Sequence, residues 1–164
     1  MIFIDPCSFG ASPETSPSKN VEAFQAAINH ATLSKNALII PGGTFSLDAR
    51  LKWSGGLTMT GSGVGQSTLS WVSGCKTSGL SGNLVDSFDC VTIRDLTLER
   101  YGFRANTNAI SINGSAVVNR LFAAADGEAA VRQAAYALFS QYGGSTNATL
   151  DENSLTASRT DSRV

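Results

Sequence analysis

A mainly-β chain wound as a short parallel solenoid is the architecture the sequence predicts, with a capping helix near its start and a second helix plus a polar tail at its end. Three observations carry that expectation. In residues 89–100 the apolar pair Val91 and Ile93 alternates with polar neighbours, as does the pair Leu96 and Leu98, but the two alternations are out of phase. Period-two alternation marks a strand with one buried face, so keeping all four side chains inside requires a corner at Arg94-Asp95. No Asn-Gly or similar hairpin turn stands there. The same strand–corner–strand pattern recurs at residues 37–47, with Pro41-Gly42-Gly43 as the corner. Finally, 12 of the 16 glycines lie between Gly42 and Gly114, where a solenoid needs its tight bends. Leu57, Val91 and Ile110 are expected to stack in one sheet.

The totals narrow the function classes. A length of 164 residues suits one domain, or a domain with a tail. Charged residues make up only 15%, hydrophobic residues 42%, and the formal net charge is −1, which argues against an electrostatic nucleic-acid binder and against a disordered chain. No apolar run approaches the roughly 20 residues that span a bilayer. Residues 1–6 lack the basic and apolar regions of a signal peptide, so a soluble chain without a Sec-type export signal is expected. Cys7, Cys75 and Cys90 form neither a disulfide framework nor a zinc pattern and read as small buried hydrophobes. Neither a metal nor a cofactor is expected.

Taken in order, residues 1–5 read as a short strand and residues 6–19, with Pro6, Pro13 and Pro17, as a loop. A helix follows with Ser18 or Asn20 as N-cap; Val21, Phe24, Ile28 and Ala31 form its apolar stripe. Open solenoid ends expose backbone, and covering one is the role assigned to this helix. His30, the single histidine, lies near its end, where the helix C-terminus favours a cation. Strand pairs continue through Leu51 and Trp53, Leu57 and Met59, and residues 68–71. Gly61-x-Gly63-x-Gly65 has Gln66 at its sixth position and leads into a strand, so it lacks the context of a dinucleotide loop. Residues 72–84 read as a projecting loop, and Ile110 and Ile112 as another strand. From Asp126 the pattern turns helical, with Val131, Ala135, Leu138 and Tyr142 on one face and Gly143-Gly144 as the stop. Residues 145–164 hold eight Ser or Thr and no periodicity. The expected division is thus 1–122 solenoid with its cap, 123–144 helix, and 145–164 polar tail, ordered against a partner if at all.

Carboxylates on the coil surface are the first place to look for chemistry. Cleavage of a glycosidic bond uses two carboxyl groups about 5–10 Å apart. The catalytic candidates are Asp89, Asp95 and Glu99, with Arg94 beside them and Asp86 nearby. Structural roles compete: Asp95 sits at the corner and Asp89 just before a strand, where short carboxylates bond to backbone, and Glu99 can pair with Arg94 or Arg100. Stacking faces for sugar rings are offered by Trp53, Trp71, Tyr101 and Phe103, of which Trp71 and Tyr101 are expected to be exposed. On the C-terminal helix, small residues such as Ala130 and Ala134, with Leu138, suit a contact between subunits.

Three segments in order resemble the N-terminal part of the pectate-lyase-like right-handed β-helix superfamily, the group that includes phage tailspikes and many polysaccharide lyases and hydrolases. They are Phe9-Gly10-Ala11 with the helix at 21–28, then residues 39–45 with 57–63, and then residues 91–98; the likeness covers about residues 3–122. It implies a right-handed parallel β-helix, here with about three to four coils. The chain departs from the family before the first helix, where Ser12–Ser18 replaces an acidic, Gly-containing stretch, and again where the middle coils would begin. Catalytic acids of the family's enzymes lie in those middle coils. The resemblance therefore implies a non-catalytic structural or receptor-binding module of a phage tailspike or tail fibre. It would be a homotrimer assembling with other virion tail proteins or binding surface polysaccharide, without nucleic acid or membrane insertion. Its location would be the virion tail if phage-encoded, and otherwise extracellular. The alternative is a polysaccharide lyase or glycoside hydrolase, or a truncated relative of one.

Overall fold

The computed structural model describes residues 2–83, 85–86, 88–100, 110–113, 115–125, 140–142, 148–151 and 154–157, with side chains through residue 99. The chain opens with β1 (Phe3–Ile4) and a 3-10 turn at Pro6–Phe9, followed by helix α1 (Pro17–Ser34). The strands that follow are β2 (Ala37–Ile39), β3 (Gly43–Leu47), β4 (Leu51–Ser54), β5 (Leu57–Thr60), β6 (Ser67–Trp71) and β7 (Leu80–Asn83). Then come β8 (Cys90–Arg100), β9 (Ile110–Asn113), β10 (Ser115–Ala125), β11 (Ser140–Tyr142), β12 (Ala148–Asp151) and β13 (Ser154–Ala157).

The strands form two parallel sheets. One follows the order β1-β2-β5-β8-β10-β12, with β6 also paired to β8, β3 to β6, and β13 to β10. The other runs β11-β9-β7-β4. The first is a curled, half-barrel sheet crossed by α1, so the fold is mixed α/β. This corrects the expected short right-handed β-helix. The reason lies in β8. It is one strand of eleven residues, and its pairing with β10 skips Asp95 and continues on both sides of it. A bend inside one ladder curls one sheet where separate faces were expected. Leu57 and Val91 do share a register position, but Ile110 belongs to the second sheet, opposite Leu80.

The corner itself lies where the alternation places it. Asp95 adopts φ 57°, in the left-handed region that short polar residues tolerate better than others. With the chain so turned, Val91, Ile93, Leu96 and Leu98 are all buried. The loop after β5 holds the corner from outside: the Gly61 N–H donates to the Arg94 carbonyl and the Gly63 N–H to the Asp95 carbonyl, both at 3.0 Å. Buried Ser67 ties the loop down further. Its hydroxyl is 2.9 Å from both the Ile40 and Pro41 carbonyls and accepts the Ser62 N–H at 2.8 Å.

The N-cap of helix α1 lies two residues before the earlier of the expected caps. Ser16 is extended (ψ 150°), its hydroxyl accepts the Lys19 N–H, and Pro17 takes the first helical position, where its missing N–H is harmless. Asn20 is therefore inside the helix and fully buried. Phe24, Ile28 and Ala31 face the core with Ala23 and Ala27, and Phe24 meets Phe45 edge-on at 5.2 Å. The helix ends at Lys35, a non-glycine residue in the left-handed conformation (φ 56°). Left-handed geometry costs an L-residue roughly 1–2 kcal/mol. Lys35→Gly is therefore expected to stabilise the protein by about 1 kcal/mol and raise Tm by about 2–4 °C, read by thermal denaturation.

At the other end the expected helix meets a correction. Ser140–Tyr142, assigned to it from the sequence, is a strand paired with β9, and residues 126–139 lie outside the described residues. Residues 148–151 and 154–157, assigned to an aperiodic tail, are strands on β10.

Candidate functional site

Strand β4 is the last strand of its sheet, and an open strand edge needs partners for its backbone groups. The side chain of Gln25, on α1, supplies them. Its carboxamide nitrogen donates to the Lys52 carbonyl at 2.5 Å and its oxygen accepts the Lys52 N–H at 3.1 Å. One carboxamide thus takes the place of a neighbouring strand. The same nitrogen also donates to Asn29 Oδ1 at 3.0 Å.

This clamp holds the C-terminal half of α1 beside β4 and leaves a groove of about 570 Å³ between them. Asn29, Thr32 and Leu33 form the helix side, Lys52, Trp53 and Ser54 the floor from β4, and Ser81 and Asn83 the far wall from β7. Alternation explains the floor: Leu51 and Trp53 point inward while Lys52 and Ser54 point out. Register places Ser81 beside Lys52 and Asn83 beside Ser54 on the neighbouring strand β7. Among the described residues the Lys52 ammonium has no ion-pair partner. Among the described residues, carboxamides, hydroxyls and one ammonium line the groove, and no carboxylate does.

A second hollow, of about 650 Å³, lies on the other side of Thr32, between the end of α1, Gly55-Gly56, and Asp86, Phe88, Asp89 and Cys90. Phe88 stands on its rim, 93% exposed. The loop carrying Phe88 is held by carboxylates. Asp89 accepts the Val85 and Asp86 N–H groups at 3.3 and 3.0 Å, and Asp86 accepts the Phe88 N–H at 3.0 Å.

The residues singled out from the sequence do not converge. Asp89 bonds to backbone, as its place before a strand suggests. Asp95 turns the corner and lies 3.9 Å from Arg94, whose Nε is 3.5 Å from Thr60 Oγ1. Glu99 is half-buried near the end of β8, in register with Ser70 and Ala124. At about 3.3 Å per strand residue, β8 spreads the Cα atoms of Asp95 and Glu99 roughly 13 Å apart. Among the described residues no group of three His, Cys, Asp or Glu side chains is placed to hold a metal ion.

Trp71 requires a correction. It is 1% exposed, its indole N–H donates to the Ala49 carbonyl at 2.8 Å, and it offers no face to a sugar. Trp53 is also buried, with its indole over Gly82, where a Cβ would fall 2.7 Å from the ring. Tyr101, Ala130, Ala134 and Leu138 lie outside the described residues. The cysteines are corrected too: Cys7 and Cys90 are exposed, Cys75 is half-buried, and all three are free. Partial desolvation, then the charge and hydrogen bond of Asp5, pushes the Cys7 thiol above its ordinary pKa, away from the reactive thiolate. His30 packs its exposed ring against Phe9, with ring centres 5.8 Å apart.

Sequence reasoning missed the groove. Outward Lys52 and Ser54 follow from alternation, but nothing in the spacing of Gln25 says that it reaches Lys52.

No family model matches the chain, and no curated protein matches it. Among solved structures it is similar to the Agl-KA catalytic domain, at 16% identity and a TM-score of 0.47. The alignment covers 97% of this chain and 43% of that one. A likeness at that level assigns neither fold nor activity.

Proposed function

We propose that the chain is a non-catalytic binding module that takes surface polysaccharide into the groove between α1 and β4, as a homotrimeric part of a phage tailspike or tail fibre. The observation that supports binding is the lining of the groove. Carboxamides and hydroxyls complement sugar hydroxyls as both donors and acceptors, and they stand on a helix and two strands whose main chains are fixed by the Gln25 clamp and the β4–β7 ladder. A volume of about 570 Å³ falls within the range of small-ligand clefts. Glycoside hydrolysis calls for two carboxyl groups flanking the scissile bond, and the described residues that line the groove include none. Support for the virion and trimer assignments comes from the sequence resemblance at residues 9–11 and 21–28, 39–45 and 57–63, and 91–98.

The test pairs two measurements on one preparation. Incubated with a panel of capsular polysaccharides, the protein is expected to retain at least one of them and to release neither reducing ends nor unsaturated uronates. Light scattering is expected to return three times the 17.1 kDa chain mass. Product release would overturn the non-catalytic assignment, and a monomer would overturn the trimer.

A further inference from the structure

We infer that the hollow between the end of α1 and the Phe88 loop is a contact between copies of this chain, where one copy seats the Phe88 ring of another. This goes beyond polysaccharide binding and assigns a surface, not a number of copies. Phe88 is the most exposed large hydrophobic side chain among the described residues, and Val85 on the same loop is 77% exposed. A single apolar side chain on a surface needs no explanation, but this ring stands on a fixed base. Asp89 accepts the N–H groups of Val85 and Asp86, and Asp86 accepts the N–H of Phe88 itself. With the main chain held before any contact forms, less ordering is left to oppose insertion of the ring.

The socket lies beside the anchor. A hollow of about 650 Å³ has room for a phenyl ring, and Gly55, Gly56 and the exposed Thr58 line it. A Cβ added at Gly55 would meet nothing within 4 Å, so that part of the surface stands open. Charge then names the occupant. Lys35 lies on the α1 side of the hollow, and Asp86 and Asp89 lie on the Phe88 side. Within one chain Lys35 pairs with neither carboxylate. A copy that inserts Phe88 carries Asp86 and Asp89 in with it, toward Lys35 of the copy that receives the ring. Aromatic anchor, socket and both signs of charge thus share one surface, which is the complementarity that a contact between copies requires.

Light scattering over a concentration series, with maleimide labelling resolved for each cysteine by mass spectrometry, tests the contact. Cys90 lines the hollow and Cys7 does not, and both are exposed in the single chain. Labelling of Cys90 is expected to be lost as copies associate, while Cys7 keeps its rate. Phe88→Ser is expected to weaken association about thirtyfold or more, as removal of a buried aromatic anchor does. Phe88 is exposed in the single chain, so unchanged circular dichroism would verify the fold. Thr58→Trp fills the hollow from β5 with Phe88 left in place and is expected to weaken association as well. Lys35→Glu sets like charges together and is expected to cost about tenfold at low salt and less as salt rises. If copies associate with Cys90 still labelled, or if Phe88→Ser and Thr58→Trp associate like the native chain, the inference is overturned, and a trimer mass would leave the trimer reading standing. A dimer mass that depends on Phe88 supports the contact and overturns the trimer alone. A chain that stays monomeric overturns both.

Discussion

Gly61→Ala is expected to destabilise the protein by about 3 kcal/mol or more, at or beyond the upper end of ordinary overpacking. A Cβ at this position would overlap the Asp95 carbonyl oxygen and lie 3.0 Å from the Asp95 carbonyl carbon and 3.1 Å from Ser67 Cβ. Neither neighbour has room to yield. Asp95 is the left-handed residue that turns β8, and its carbonyl already accepts the Gly63 N–H. Ser67 is buried and bonded to the Ile40 and Pro41 carbonyls and to the Ser62 N–H. The added methyl must therefore push β5 and its loop away from β8, opening the ladder that joins the first strands to the rest of the sheet. Domain stabilities of about 5–15 kcal/mol make such a loss a large share of the total. Urea denaturation checks it, with the midpoint falling sharply in Gly61→Ala. Gly42→Ala serves as control, because the nearest atom to its added methyl, the Gln66 carbonyl oxygen, is at an ordinary 3.7 Å. Equal midpoints for Gly61→Ala and the native protein would mean that the corner does not lie against β5.

Asn20→Ala is the second large effect, about 3–4 kcal/mol, through lost bonds instead of a clash. The side chain of Asn20 is 0% exposed and makes three hydrogen bonds. It accepts the Ser12 N–H at 2.9 Å and donates to the Ser12 carbonyl at 2.9 Å and the Ser46 carbonyl at 3.1 Å. It thereby ties the loop before α1 to the helix, and the helix to β3. Alanine leaves those three backbone groups without their partner, and each buried unsatisfied group costs about 1–3 kcal/mol, less than additively when they share a site. Hydrogen exchange gives the discriminating readout. Protection is expected to fall first at Ser12 and along β3, because those segments lose their tie to the helix. Uniform loss across the β8–β10 ladder, with β3 protection preserved, would contradict this account.

Much of the local structure was legible in the sequence for simple reasons. The out-of-phase pairs Val91/Ile93 and Leu96/Leu98 demanded a corner, and Asp95 makes it in the backbone conformation that short polar residues accept. The 3-4-3 spacing of Val21, Phe24, Ile28 and Ala31 located α1 and its buried face. The N-cap was misplaced because Ser16, Ser18 and Asn20 all carry capping chemistry. Pro17 decides among them, since its fixed φ and missing N–H suit the first helical position. The site was far less legible. Trp71 reads as a stacking platform beside a Gly/Ser-rich loop, yet the Ala49 carbonyl, 22 residues away, holds its N–H in the interior. Lys52 reads as an ordinary solvated lysine until Gln25, 27 residues away, is found on its backbone.

By itself, then, the sequence determined which aliphatic side chains of the alternating pairs face inward, where the chain bends and where the first helix lies. These depend on periodicity and on conformational preferences within a few residues. Whether successive bends divide the strands into separate faces or curl them into one sheet was decided by tertiary structure alone, through the β8–β10 ladder that resumes beyond Asp95. The groove beside β4 was decided in the same way. It exists because one carboxamide on α1 completes the hydrogen bonding of a distant strand edge, and contacts between residues so far apart in the chain leave no periodic trace in it.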